Sequence, residues 1–197
     1  MIHTFASMFR SKEIRNRIFF TLAMLLIYRI GAAIPVPSVN STALSGPIAD
    51  NSILSMMNLL GGGAFERMSI FALGVSPYIT ASIIIQLLSM DVIPALTEMT
   101  KSGQKGRIEM DRITRYLGVV LAFVQSFSMV YGFDRQYGIL LDSSVATYLF
   151  TATVLTAGTM FLVWIGDQIS VKGIGNGISI IIFAGIVSNI PAMFAQV

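Results

Sequence analysis

Gly61, Gly62 and Gly63 stand in a row, the acid–base pair Glu66 and Arg67 follows, and no charge appears from Met68 to Met90. Glycine reaches backbone conformations closed to other residues, so the triplet predicts a flexible joint. Lipid offers no partner to a loose backbone group, so a broken helix at membrane depth survives only inside protein or beside water. A plain membrane anchor has no use for such a break. The segment reads as a short half-helix, a joint and a spanning helix lining a cavity, the arrangement of a channel or transporter.

Covalent chemistry has no seat in this chain. Its ten acids (Glu13, Asp50, Glu66, Asp91, Glu98, Glu109, Asp111, Asp134, Asp142, Asp167) all fall in loops or at span ends. Ion-coupled transporters place an ionisable group near the bilayer midplane, which disfavours that class. His3 stands alone and there is no cysteine, so neither a nucleophile–base pair nor a thiolate metal site is available. An enzyme is disfavoured, and neither a cofactor nor a metal is expected. Gly173, Gly175 and Gly177 form a second glycine cluster, with Asn176 placed to cap a helix or hold a left-handed turn. Without a following Lys-Ser/Thr or a preceding strand, this is no phosphate loop.

The elements that must carry these features are membrane spans. Hydrophobic residues make up 54% of the 197, charged ones only 12%, and the mean hydropathy is +0.76. Soluble domains are about 25% charged. Five stretches are long enough for a hydrocarbon core that takes roughly 17–25 helical residues. They are Ile18–Ile34, Met68–Met90, Tyr116–Phe133, Ser143–Gly166 and Gly173–Val197, and only the first holds a charge, Arg29. Arg29 either snorkels outward or requires a structural partner. Trp164, Tyr148, Tyr131 and Tyr116 near span ends suit the headgroup layer.

Charge also gives orientation. Arg10, Lys12, Arg15 and Arg17, then Lys101, Lys105, Arg107, Arg112 and Arg115, then Lys172 lie on one side; Arg67 and Arg135 lie on the other. Ten against two puts the N-terminus in the cytoplasm and Val197 outside. The basic loop Lys101–Arg115 is first a topology signal and second a docking surface for cytoplasmic partners. The pI near 9.4 therefore reflects loop charges, with no direct nucleic-acid site. Arg29 and the Ile34-Pro35-Val36-Pro37 sequence exclude a cleaved signal peptide. Met1 to Asn16 reads as a short interfacial helix. Pro35 to Asp50 reads as irregular external loop, and Asn51 to Leu60 is apolar but too short to span. That stretch is re-entrant or lies on the outer leaflet.

Gly61 to Leu88, from Gly-Gly-Gly-Ala-Phe-Glu-Arg through Val-Ser-Pro-Tyr-Ile-Thr-Ala-Ser-Ile-Ile-Ile-Gln-Leu-Leu, resembles the plug and second helix of SecY-type protein-conducting channels. Thr114-Arg115-Tyr116, Gly158-Thr159-Met160-Phe161-Leu162 and Gly173-Ile-Gly-Asn-Gly-Ile-Ser-Ile-Ile-Ile resemble the same family. The resemblance implies an all-α integral membrane protein with five transmembrane helices and a re-entrant plug, one half of a ten-helix pseudo-symmetric channel. Residues 1–197 are then one membrane domain. Within it, 1–17 is the cytoplasmic N-terminus, 51–67 the plug segment, 68–90 the second helix and 173–197 the fifth.

Particular residues inherit roles from that resemblance. Val75 and Ile79, with Ile178 and Ile182, match the apolar pore ring, each pair at i, i+4 on one helix face. A dry aliphatic ring seals against ions yet offers a passing chain no fixed polar partner. Asn58, Gly61, Gly62, Gly63, Arg67 and Asn176 match the plug and the polar positions around it, and Gln86 matches the lateral gate. Gln86 is also expected to bond across to a neighbouring helix, and Gly158 with Ala157, Ala152 and Thr153 to allow close helix contact.

The implied function is the central channel of the general protein translocase, passing unfolded secretory proteins across the bilayer and membrane proteins into it. The alternatives are half of a secondary transporter or a non-conducting scaffold subunit. Implied partners are small SecE-like and SecG-like membrane subunits, the motor ATPase SecA or a ribosome, and signal-sequence-bearing polypeptides. The implied place is the bacterial plasma (inner) membrane. The chain stops at the edge of an apolar span, as expected of a truncated chain or one half of something larger.

Overall fold

The computed structural model describes residues 11–40, 43–44, 46, 52–90 and 92–195. The first ten residues of the expected interfacial helix, most of the 41–51 loop and the final two residues of the fifth span lie outside that set. Among the described residues the named elements are seven helices: α1 Lys12–Ala33, α2 Ser52–Leu60, α3 Ser76–Leu88, α4 Pro94–Lys101, α5 Gln104–Tyr137, α6 Val145–Lys172 and α7 Gly177–Ala195. No strand forms among them beyond two isolated bridges. Helices α1, α5 and α6 are each long and apolar enough to cross a membrane. Two more, Ser76–Leu88 and Gly177–Ser188, are apolar but shorter.

The second expected span departs from its sequence reading. Residues 68–75 are turns, and helix starts only at Ser76. Met68 and Gly74 have φ of 43° and 58°, values that a right-handed helix cannot contain. The backbone turns aside to pair with the extension after α1, where Val36 N–H donates to Met68 O at 2.9 Å and Ile70 N–H to Ile34 O at 3.1 Å. Pro77, with its fixed φ and missing N–H, then opens α3.

This irregular stretch joins the two halves of the core. Phe65, Met68 and Ala72 pack with Val130, Tyr148 and Leu155 in one cluster. Ala64, Phe71 and Val75 pack with Tyr28, Leu162 and Ile165 in the other. Small residues on neighbouring helices admit it. A Cβ at Gly158 of α6 would lie 1.8 Å from the Ile70 carbonyl oxygen, and one at Gly31 would lie 2.2 Å from the Phe71 ring. Gly158 thus meets an irregular segment, while Ala157 and Thr153 are exposed.

Polar contacts tie each end of the bundle. At one end, Asp134 accepts hydrogen bonds from Leu140 N–H at 3.0 Å, Ser143 Oγ at 2.8 Å and Tyr148 Oη. Tyr148 is therefore turned inward, unlike the exposed Tyr116, Tyr131 and Trp164. Nearby, Asn40 N–H donates to Ile139 O and Leu141 N–H to Ser38 O. At the other end, Arg17 donates to the Gly173 carbonyl at 3.2 Å and Arg115 pairs with Asp167 at 2.8 Å.

Candidate functional site

α2 ends in a sharp reversal. Gly61 N–H donates to Met57 O and Gly63 N–H to Asn58 O, and φ of 69° at Gly62 and 79° at Gly63 turns the chain back. An L side chain is strained at both values, so glycine is required here. Asn58 then closes the loop on itself. Its Nδ2 donates to Glu66 Oε2 at 3.1 Å, and Glu66 N–H donates to Asn58 Oδ1 at 3.0 Å.

The hydrogen bonds described for Asn58 and Asn176 do not join them to each other or to Arg67. Arg67 points outward, with no hydrogen bond or ion pair to another described residue. Asn176 is occupied at the start of α7, where its Oδ1 accepts from Ile178 N–H and Ser179 N–H. A short amide beside orphan helical N–H groups accepts from them as an N-cap does, which commits the Oδ1 of Asn176 to its own helix. The cation that reaches the glycine turn is Arg29. Its Nη1 donates to Gly62 O at 2.9 Å and to Ser188 Oγ of α7 at 3.1 Å.

The ring candidates fall into one cluster. Val75 is buried in it, and Ile79, Ile178 and Ile182 pack half-buried against it. Beside them lies a cavity of about 580 Å³, lined by Met57 and Gly61, by Ala72 to Ser76 and Ile79, by Gln125, Ser128 and Met129 of α5, and by Ile182. Ile178 is not on that lining; it packs toward Gly166 of α6. Gln86 is exposed and bonds to Ser82 on its own helix at 3.4 Å, not to a neighbouring helix.

Gln125 and Ser128 escaped the sequence reading although a signal was there: two polar residues three apart in an apolar span share one helix face. Chemically the site is an apolar void with a few hydrogen-bonding groups at its wall. Among the described residues no acidic or histidine group of three stands close enough to hold a metal.

A family model described as SecY matches residues 69–197. The protein translocase subunit SecY of Staphylococcus aureus (strain NCTC 8325 / PS 47) is 51% identical over 198 residues, covering 100% of this chain and 46% of that protein. The protein of the same name from Staphylococcus epidermidis (strain ATCC 12228 / FDA PCI 1200) is 50% identical over the same shares. This chain spans about half the length of the curated relatives it matches and corresponds to their N-terminal part. Among solved structures, Sec61 in the canine ribosome-channel complex from the endoplasmic reticulum superposes with a TM-score of 0.67, over 91% of this chain and 38% of that one. A SecY structure whose plug domain is described as stabilising the closed state of the translocation channel gives 0.64, over 91% and 37%. At 20% and 21% identity these two likenesses are of fold.

Proposed function

This chain belongs to the SecY family, and we propose that it forms the N-terminal half of a protein-conducting channel in the bacterial plasma membrane. In this reading five spans cross the bilayer, through α1, the segment ending in α3, α5, α6 and α7. The helix α2 with Gly61–Gly63 is the plug, and Val75, Ile79, Ile178 and Ile182 supply this half's share of the ring. Gln86, exposed on α3, faces the lateral gate, where the second half would meet it. SecE-like and SecG-like subunits, a SecA-type motor or a ribosome, and signal-bearing polypeptides are the partners. The chain contributes a conduit, and a partner supplies the energy.

The observation that carries the reading is the cavity, where plug residues Met57 and Gly61 meet Val75, Ile79 and Ile182. An apolar void walled in part by a short helix and its glycine joint suits a pore that must seal and open without binding its cargo. The test is reconstitution with the matching second half and a motor ATPase. A signal-bearing precursor should become protected from external protease only when both halves are present. Protection that persists without this chain would sink the proposal.

Orientation is tested separately, from the asymmetry of Lys and Arg. A reporter active only in the cytoplasm should work when fused after Asp111 or Lys172 and be silent after Ser45 or Asp142. The reverse pattern would overturn the orientation and, with it, the plug assignment.

A further inference from the structure

Arg29 is the one charge inside the apolar spans read from the sequence; it lies about one turn from the end of the first, is exposed, and as a charge within a span favours a partner. Its two acceptors belong to two different elements: the Gly62 carbonyl in the glycine turn and Ser188 Oγ on α7. Ser188 Oγ in turn donates to the Gly185 carbonyl at 2.8 Å. The circuit closes through contact, since a Cβ at Gly62 would lie 3.1 Å from Gly185 Cα and 2.9 Å from Tyr28 Oη. The turn is thus wedged between α1 and α7. Beyond the joint the chain is fixed independently, by the pairing of Met68 and Ile70 with Val36 and Ile34.

We propose that Arg29 is the latch of the glycine turn, a positioning residue that holds α2 closed and makes its release depend on where α7 stands. The inference rests on the reading of α2 as a plug. One nitrogen serves both acceptors, and hydrogen bonds from a charged donor are the stronger kind. If α7 moves away, it takes Ser188 and Gly185 with it; the turn then loses one wall, and Arg29 loses one of the two groups that fix its position. Nothing else charged in the spans can substitute. A lysine would keep the charge but not the planar geometry, and so should hold the turn partially.

The test is made in the completed channel and reads plug position without reference to conduction. The chain has no cysteine, so spin labels at Met56→Cys on α2 and Leu22→Cys on α1, both exposed, report without background within this half. Arg29→Gln should lengthen and broaden the resting label distance, Arg29→Lys should restore most of it, and Ser188→Ala should give a smaller shift. Resting ion conductance of Arg29→Gln should rise roughly tenfold, the scale of one lost hydrogen bond to a charged group. An unmoved distance in Arg29→Gln, at normal membrane abundance, overturns the latch. Deleting Ser55 to Phe65 separates the two readings. If the deletion conducts while Arg29→Gln leaves the labels in place, the latch alone is wrong. If the labels move but neither variant conducts, the latch stands and the channel reading falls.

Discussion

In the proposed channel, completed with the matching second half, replacing Ile79 or Ile182 with Asn should raise resting ion leak. Both side chains stand at the wall of the cavity, half-buried, and neither is fixed in the deepest core. Loss of such a contact removes about 2 kcal/mol from the closed state, which corresponds to roughly a thirtyfold larger open fraction. An amide there also hydrates, so the constriction wets as it loosens. Channels carrying either substitution should accept substrates with weak signal sequences as well. Val75 is a poorer probe, because it is buried and its replacement costs the fold too. Ile85, buried elsewhere on α3, is the control, and Asn there should lower abundance without raising conductance. The measurement is conductance across planar bilayers at equal protein amount. Background-level conductance in both ring variants would leave these isoleucines as ordinary packing residues.

The largest effect on stability is expected at Gly158. A Cβ there would sit 1.8 Å from the Ile70 carbonyl oxygen and 2.8 Å from its carbon, and backbone atoms cannot swing aside as a side chain can. Overpacking ordinarily costs about 1–3 kcal/mol, and a clash with fixed backbone lies at or beyond the top of that range. Gly158→Val should therefore yield little folded protein in detergent, with the survivors melting well below the parent. The neighbouring Ala157 is exposed, and Ala157→Val should stay within about 0.5 kcal/mol of the parent. Equal melting of the two variants would show that the 68–75 segment tolerates displacement from α6.

The contrast between those two neighbours marks what the sequence could reveal. The long spans were legible because twenty apolar residues have few other uses, and α1, α5 and α6 cover the first, third and fourth stretches read from hydropathy. The glycine joint was legible because glycine takes the positive φ of Gly62 and Gly63 without the strain an L side chain meets there. The turns at 68–75 were not, since apolar residues look alike whether they coil or not. The pairing of Met68 and Ile70 with the distant extension after α1, invisible in the sequence, helps to select the turn. Polar partners were the least legible. Asn58 finds Glu66 eight residues on, Asn176 finds its own helix, and Arg29 finds a carbonyl 33 residues away. Spacing along one helix says which side chains share a face, but not which loop will fold back onto it.

The bridge between Pro35 and Ser69 has a consequence for how this chain can change in length. It joins the two ends of the excursion between α1 and the 69–75 turns, so the separation of α1 from α3 is set by the bridge and not by the residues between. Closing a longer loop is cheap, since each doubling of a flexible loop costs only about 0.6 kcal/mol. An insertion in the excursion that spares the buried Leu44 therefore falls in a circuit already closed. Such a change in length should leave the frame that seats the glycine turn at its present dimensions.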